Sequence, residues 1–110
     1  MTRMWMVNPK IMCRNHLLGE HKEIHQLIGA INKKFKLDGY VKNNCIEITN
    51  IRQRHDELVI EMLKRNYNHK SEIKEYDCGY LDEKIVKYKI DKEKSLEDLL
   101  CRCKKCKEVK

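Results

Sequence analysis

Two kinds of reactive group occur early in the chain: an N-terminal amine and a carboxylate. The small residue Thr2 should permit removal of Met1, which would leave a free α-amine on Thr2. With a reference pKa of about 7.7 to 8.0, roughly a quarter of such amines are uncharged at pH 7.4, against about a thousandth of ordinary lysines. An uncharged amine can form an imine with an aldehyde-like carbon. Glu23, in the first amphipathic segment, provides a carboxylate that can move protons beside this nucleophile.

The six cysteines include a pair with the spacing of metal ligands. Cys103 and Cys106 have the C-x-x-C spacing of half a zinc site, and Cys13 with His16 has the same separation. These four residues could hold a zinc ion that staples a small core, with Cys101 as a competing ligand. The alternative is a set of free thiols whose pKa is lowered by neighbouring lysines. We adopt the second interpretation and expect no metal and no cofactor.

Composition restricts the class of protein. A chain of 110 residues has room for one domain, 1–110, in which 101–110 is a cysteine- and lysine-rich tail. The 24 Lys and Arg residues outnumber 17 Asp and Glu, and the formal charge of +7 favours a polyanionic partner. No stretch approaches the roughly 18 apolar residues that cross a bilayer, and the N-terminus lacks a signal-peptide pattern. We therefore expect an intracellular protein with reduced thiols and no membrane partner.

Helical periodicity dominates the first two thirds of the chain. Apolar residues recur at helical spacing over 15–35, with Glu20 and Glu23 on the polar side. A second helix is predicted from Thr49 or Asn50 to about residue 66. The predicted buried stripes are Leu17, Leu18, Ile24, Leu27, Ile28, Ile31 and Phe35 in the first helix and Ile51, Leu58, Val59, Met62 and Leu63 in the second.

The last third is less regular. Segment 81–90 is ambiguous between helix and strand. Ser95 with Asp98 three residues later resembles a capping box at the start of a last helix. The residues after 100 look too polar to pack as core. Together these patterns predict an all-α fold, a single compact domain of about three helices with irregular connections.

One set of residues has the order and spacing of a known family. It consists of Thr2, Arg3, His16, Glu20, Glu23, Gly29, Ala30 and Lys33, then Arg54, Glu57, Leu58, Leu63, Lys64, Arg65 and Asn68, with a weaker echo at 81–85. This set resembles the phage endonuclease V family, the pyrimidine-dimer DNA glycosylases with AP-lyase activity. The first helix matches without a gap. The likeness is specific because five residues occur together at fixed spacing, namely Thr2, Arg3, His16, Glu20 and Glu23; any one of them alone would be weak evidence.

The resemblance implies a covalent mechanism. The α-amine of Thr2 would attack the sugar C1′ of a damaged nucleotide, expel the base and form an imine. Glu23 would stabilise positive charge on the sugar and then assist removal of the C2′ proton, which drives β-elimination of the strand. On spacing alone, Glu23 could instead be a solvated helix residue that pairs with Lys22 or Gln26.

The resemblance also implies a set of DNA contacts. Arg3 would clamp a phosphate, and Asn15 and His16 fall at DNA-facing positions. Lys22 stands where the family has a DNA-contacting arginine, which keeps the attraction but loses the bidentate geometry. Gln26 replaces another family arginine, so one backbone contact should be weakened. His21 and His25 receive no catalytic role.

The family's aromatic and basic C-terminal segment has no counterpart here, and Trp5 is the only tryptophan. The resemblance implies a DNA repair glycosylase and AP lyase of base-excision repair that acts on double-stranded damaged DNA, with pyrimidine dimers as the expected lesion. It would need no cofactor and work at DNA, in cytoplasm or nucleus according to source; no protein partner is inferred. One alternative is a non-catalytic basic DNA-binding module with salt-sensitive affinity. Another is a zinc-stapled interaction domain that a chelator would unfold.

Overall fold

Helices, and no strand, make up the regular structure of the described residues, which in this computed structural model are 3–67, 73 and 75–109, with side chains described as far as Cys106. The long helices agree with those predicted, and the all-α fold in one small domain is confirmed. Three shorter helices were not predicted as such. In chain order the α-helices are α1 (Arg14–Asn32), α2 (Asp38–Lys42), α3 (Ile51–Lys64), α4 (Glu83–Lys87), α5 (Lys92–Arg102) and α6 (Lys104–Val109); short 3-10 helices span Pro9–Ile11 and Ile48–Asn50.

The core lies mainly between α1 and α3, which pack against each other. Both predicted stripes supply it, and most of their members are buried. Phe35 and Leu63 are exceptions, being 54% and 57% exposed. The fully or almost fully buried members are Leu17, Ile24, Leu27, Ile28 and Ile31 of α1 and Ile51, Leu58 and Met62 of α3.

The first helix ends earlier than predicted because its last turn closes in a Schellman motif. Lys34 has a left-handed φ of 59°. The N–H of Lys34 donates to the Ile31 carbonyl, and the N–H of Phe35 donates to the Ala30 carbonyl at 3.0 Å. These two bonds satisfy carbonyls that would otherwise lack partners, and they direct Phe35 away from the stripe. Asn66, with φ of 65°, ends α3 in the same way.

The N-terminal segment is buried and holds residue 3 beside α1. Residues 3–7 are all buried. The N–H of Met4 donates to the Cys45 carbonyl at 2.7 Å, and Ser95 Oγ donates to the Trp5 carbonyl at 2.5 Å. These bonds fix the segment between the residues before α3 and the fifth helix.

Two predictions about the last third are wrong. Asp91, rather than Ser95, caps α5, and its carboxylate accepts from the Lys94 N–H at 3.2 Å. Ser95 is instead fully buried, because its hydroxyl bonds the N-terminal segment. The tail also contributes to the core: α6 buries Cys106 completely. Segment 81–90, left open between helix and strand, contains the short helix α4, with Asp82 as its cap.

Candidate active site

A cavity of about 270 Å³ lies where α1 meets the N-terminal segment and the end of α5. It brings together four of the predicted site residues: Arg3, Asn15, His16 and Glu23. Lys22 is exposed on α1, outside this lining, and Thr2 lies outside the described residues. We call this space the Glu23 cavity. Its lining is Arg3, Trp5, Asn15, His16, Gly19, Glu20, Glu23 and Arg102.

Glu23 is half-buried in this cavity, and its surroundings favour the protonated form. Burial raises the pKa of the carboxyl group, and the nearby negative charge of Glu20 raises it further. A hydrogen bond from the Arg3 backbone N–H and the Arg3 charge act in the opposite direction. A carboxylate with a raised pKa is a stronger base than an ordinary glutamate, which favours a role as proton acceptor.

Glu20 is placed differently from the prediction: it lies in the core, not on the polar side of α1. Its side chain is fully buried and paired with Arg54 of α3, itself 1% exposed. The Arg54 Nε donates to Glu20 Oε2 at 2.5 Å and Nη2 donates to Oε1 at 2.8 Å, a bidentate arrangement. Arg54 Nη1 also donates to the Val7 carbonyl at 2.7 Å. The pair thus ties both long helices to the N-terminal segment.

Arg3 has protein partners on three sides. Its guanidinium lies 3.8 Å from the centre of the Trp5 ring, and Nη2 donates to Ser95 Oγ at 3.1 Å. Asp98 Oδ2 is 3.9 Å from Nη1. The side chain is buried, so its charge acts on the cavity from a fixed position.

A second, larger hollow of about 450 Å³ shares Arg3 and Arg102 with the Glu23 cavity. Four of its lining side chains are cationic and one, Asp98, is anionic. Such a concentration of positive charge attracts the phosphates of a nucleic acid. We call it the basic hollow; its lining is Arg3, Lys42, Asn43, Cys45, Lys94, Asp98 and Arg102. No local sequence pattern indicates Arg102 or Lys94, because their place beside Arg3 in this hollow depends on tertiary packing.

A thiol–imidazole cluster adjoins the Glu23 cavity at His16. The ligand atoms of Cys13, His16, Cys103 and Cys106 all lie within 4.8 Å of one another. These are the four residues that the sequence singled out as an alternative metal set, whereas Cys101 is exposed and outside the cluster. Burial lowers the pKa of His16 and raises that of Cys106 to about 12. The backbone N–H of Cys106 lowers the pKa of Cys103.

A second cluster consists of three histidines at the contact between α1 and α3. His21 Nε2 and His55 Nε2 are 3.2 Å apart, and the ring of His25 lies 4.9 Å from that of His21. We predicted no catalytic role for His21 and His25 from the sequence, and we did not predict that they lie close to His55.

Comparison with known proteins identifies the family. The model of the pyrimidine dimer DNA glycosylase family matches residues 2–75, which is more than half of the chain. The chain therefore belongs to the pyrimidine dimer DNA glycosylase family, and the resemblance drawn from its motifs is confirmed. Membership indicates a DNA repair glycosylase, with DNA as its substrate class. The match contains Glu23 and Arg54 and ends before α4.

No curated protein and no solved structure gives a significant match to the chain. Among the described residues, no helix combines the length and apolar character needed to cross a membrane.

Proposed function

We propose that the protein excises damaged bases from double-stranded DNA, pyrimidine dimers above all, and then cleaves the strand as an AP lyase. The reaction would run through an imine between the Thr2 α-amine and the sugar C1′. The observation that carries this proposal is the position of Glu23, a half-buried carboxylate whose pKa is raised and which accepts a hydrogen bond from the Arg3 N–H. That N–H belongs to the peptide bond that joins Thr2 to Arg3.

The proposed chemistry assigns two successive tasks to Glu23. As the bond between C1′ and the base breaks, the base leaves with the bonding electrons and the sugar develops oxocarbenium character. A carboxylate stabilises that charge, as in glycoside cleavage. The amine adds to C1′ and loses a proton. The bond between C1′ and the ring oxygen then breaks, the oxygen takes up a proton, and the ring-opened sugar is held as the imine. Glu23 then accepts the C2′ proton, and the electrons released expel the 3′ phosphate. The raised pKa makes Glu23 a better proton acceptor than an exposed glutamate.

The basic hollow supports DNA as the ligand of this site. A duplex must be distorted to expose C1′, and the energy for that distortion comes from contacts elsewhere on the DNA. We assign phosphate attraction to Arg3, with Asn15, His16 and Lys22 as further DNA contacts along α1. Because Arg3 is buried and bonded to Ser95, its contribution should be mainly electrostatic. The chain would act as a single domain at intracellular DNA, and this chemistry needs no cofactor.

Replacement of Glu23 tests the proposal. The substitution Glu23→Gln preserves shape but removes the charge and the proton acceptor, so we expect base release to fall by about 10²- to 10⁴-fold. Binding of the same damaged duplex should stay within about threefold of the parent protein, because phosphate contacts dominate affinity. Glu97→Gln, the same change at an exposed position of α5, is the matched control and should leave both quantities unchanged.

Three outcomes separate the alternatives. Loss of base release with intact binding supports the catalytic role of Glu23. Full activity in Glu23→Gln would contradict it. A parent protein that binds DNA in a salt-sensitive manner but releases no base would be the non-catalytic DNA-binding module.

A further inference from the structure

We propose that Cys13, His16, Cys103 and Cys106 form a zinc site that fastens the C-terminal helices to the start of α1. Three Sγ atoms and one imidazole nitrogen converge from two separate parts of the chain. A set of three thiolates and one histidine is among the usual ligand sets of structural zinc. The inference does not depend on the imine chemistry, which uses none of these four residues. It shares His16 with the proposed DNA contacts: with Nδ1 on zinc, only Nε2 of His16 would be available to DNA.

Three of the distances between ligand atoms are close to those of a tetrahedral zinc site, and all lie within 4.8 Å. With Zn–S bonds of about 2.3 Å and Zn–N bonds of about 2.05 Å, tetrahedral geometry places sulfur atoms about 3.8 Å apart and sulfur about 3.6 Å from nitrogen. Cys13 Sγ and Cys103 Sγ are 3.8 Å apart. His16 Nδ1 lies 3.3 Å from Cys13 Sγ and 3.6 Å from Cys106 Sγ. A disulfide would need its sulfur atoms about 2.05 Å apart, so the cluster is not arranged as one.

Backbone N–H groups point at two of the sulfurs, as they do around thiolates that bind metal. The N–H of Cys13 donates to Cys106 Sγ at 3.1 Å, and the N–H of Cys106 donates to Cys103 Sγ at 3.5 Å. Cys13 is the N-cap of α1, where backbone N–H groups have no carbonyl acceptor within the helix. The N–H of Cys13 is therefore available to bond the sulfur. Hydrogen bonds to sulfur favour the thiolate, which is the form that binds zinc.

The position of the cluster gives the metal a structural task. Cys13 and Cys103 are 90 residues apart in sequence, and zinc would hold the first turn of α1 against the junction of α5 and α6. Two residues that line the Glu23 cavity belong to the parts joined by the metal. His16, in the first turn of α1, is itself a ligand, and Arg102, the last residue of α5, directly precedes the ligand Cys103. Four protein ligands leave no open coordination position, which is typical of a structural site. The metal would therefore fix one wall of the cavity.

Metal analysis of the purified full-length chain tests the proposal. We expect about one zinc per chain by elemental analysis after reconstitution and removal of free metal. The double substitution Cys103→Ser with Cys106→Ser should reduce this to below about 0.2. Cys101→Ser changes an exposed cysteine of the same segment and should retain the zinc. Retention of a full zinc in the double variant would overturn the proposal.

Cobalt substitution gives a second test that needs no variant. In the unaltered protein, Co²⁺ at this site should show thiolate-to-cobalt charge-transfer absorption and the intense d–d bands of tetrahedral coordination. The histidine cluster of His21, His25 and His55 contains no sulfur, so cobalt held there would lack the charge-transfer band. A chelator should also lower the Tm of the zinc-loaded protein by roughly 10 °C or more. A chain that binds no zinc and shows no charge-transfer band would overturn the proposal.

Discussion

Removal of the Arg54 guanidinium should be among the most destabilising single changes in the protein. In Arg54→Met the side chain keeps most of its volume, but the fully buried Glu20 loses both hydrogen bonds and its countercharge. Leaving one member of a buried ion pair without its partner lowers the free energy of unfolding by about 3–5 kcal/mol. For a chain of this size the unfolding entropy is about 0.23 kcal/mol per kelvin, so we expect Tm to fall by roughly 13–22 °C. Against a typical total stability of about 5–15 kcal/mol, this loss is between about a fifth and the whole of the free energy of unfolding.

Thermal denaturation followed by circular dichroism measures this loss. Arg52→Met makes the same change at an exposed position of α3 and should alter stability by no more than about 0.5 kcal/mol. The double variant Glu20→Met with Arg54→Met removes both charges together and should recover most of the loss, since an apolar replacement of a buried pair is often neutral. The reasoning is refuted if Arg54→Met lowers Tm by less than about 4 °C, or if the double variant is no more stable than the single one.

Three further predictions concern charge and backbone conformation. Folding raises the pKa of Glu23 above its ordinary 4.5, so the folded protein binds this proton more tightly than the unfolded chain does. The contribution of Glu23 to stability therefore falls as the pH rises from about 4.5 through the pKa of the folded state. Glu23→Gln should therefore melt above the parent protein at pH 7 but not at pH 4; an equal difference at both pH values would contradict this. Arg102→Gln should weaken DNA binding and reduce the slope of log Kd against log salt by about 0.9, whereas Lys87→Gln, on α4, should not; equal slopes would argue against the basic hollow as the DNA site. Lys34→Gly should stabilise the fold by about 0.5–1 kcal/mol, because φ of 59° favours glycine, whereas Lys33→Gly should destabilise it. Urea denaturation measures both changes, and a loss of stability in Lys34→Gly would count against this prediction.

The long helices were predictable because periodicity is a local property. The stripes of α1 and α3 follow from the spacing of their apolar residues. Asn15 and His16 lie on the side of Glu23 because each is about two turns before it. The helix ends were less predictable, since the Schellman turn at Lys34 places a lysine where glycine or asparagine is usual. Periodicity alone therefore extended α1 as far as Phe35.

The remainder of the site depends on contacts between distant residues, which spacing does not specify. Glu20 looks like a surface residue of an amphipathic helix until Arg54 is brought beside it. Arg102 lies beyond the family match and lines the same two cavities as Arg3 only in the folded chain. The thiol cluster is intermediate: each C-x-x-C or C-x-x-H half is visible in the sequence, but only the fold brings Cys13 to Cys103.

Borohydride trapping is the measurement that tests the covalent mechanism most directly. The protein is incubated with a duplex that carries a thymine dimer or an abasic site, reduced, and digested so that mass spectrometry can locate the sugar adduct. We expect an adduct with both duplexes, on an N-terminal peptide that begins at Thr2. An adduct with the abasic site alone would contradict dimer excision while keeping the lyase step. No adduct with either duplex, or an adduct on a lysine side chain, would contradict the Thr2 amine as the nucleophile.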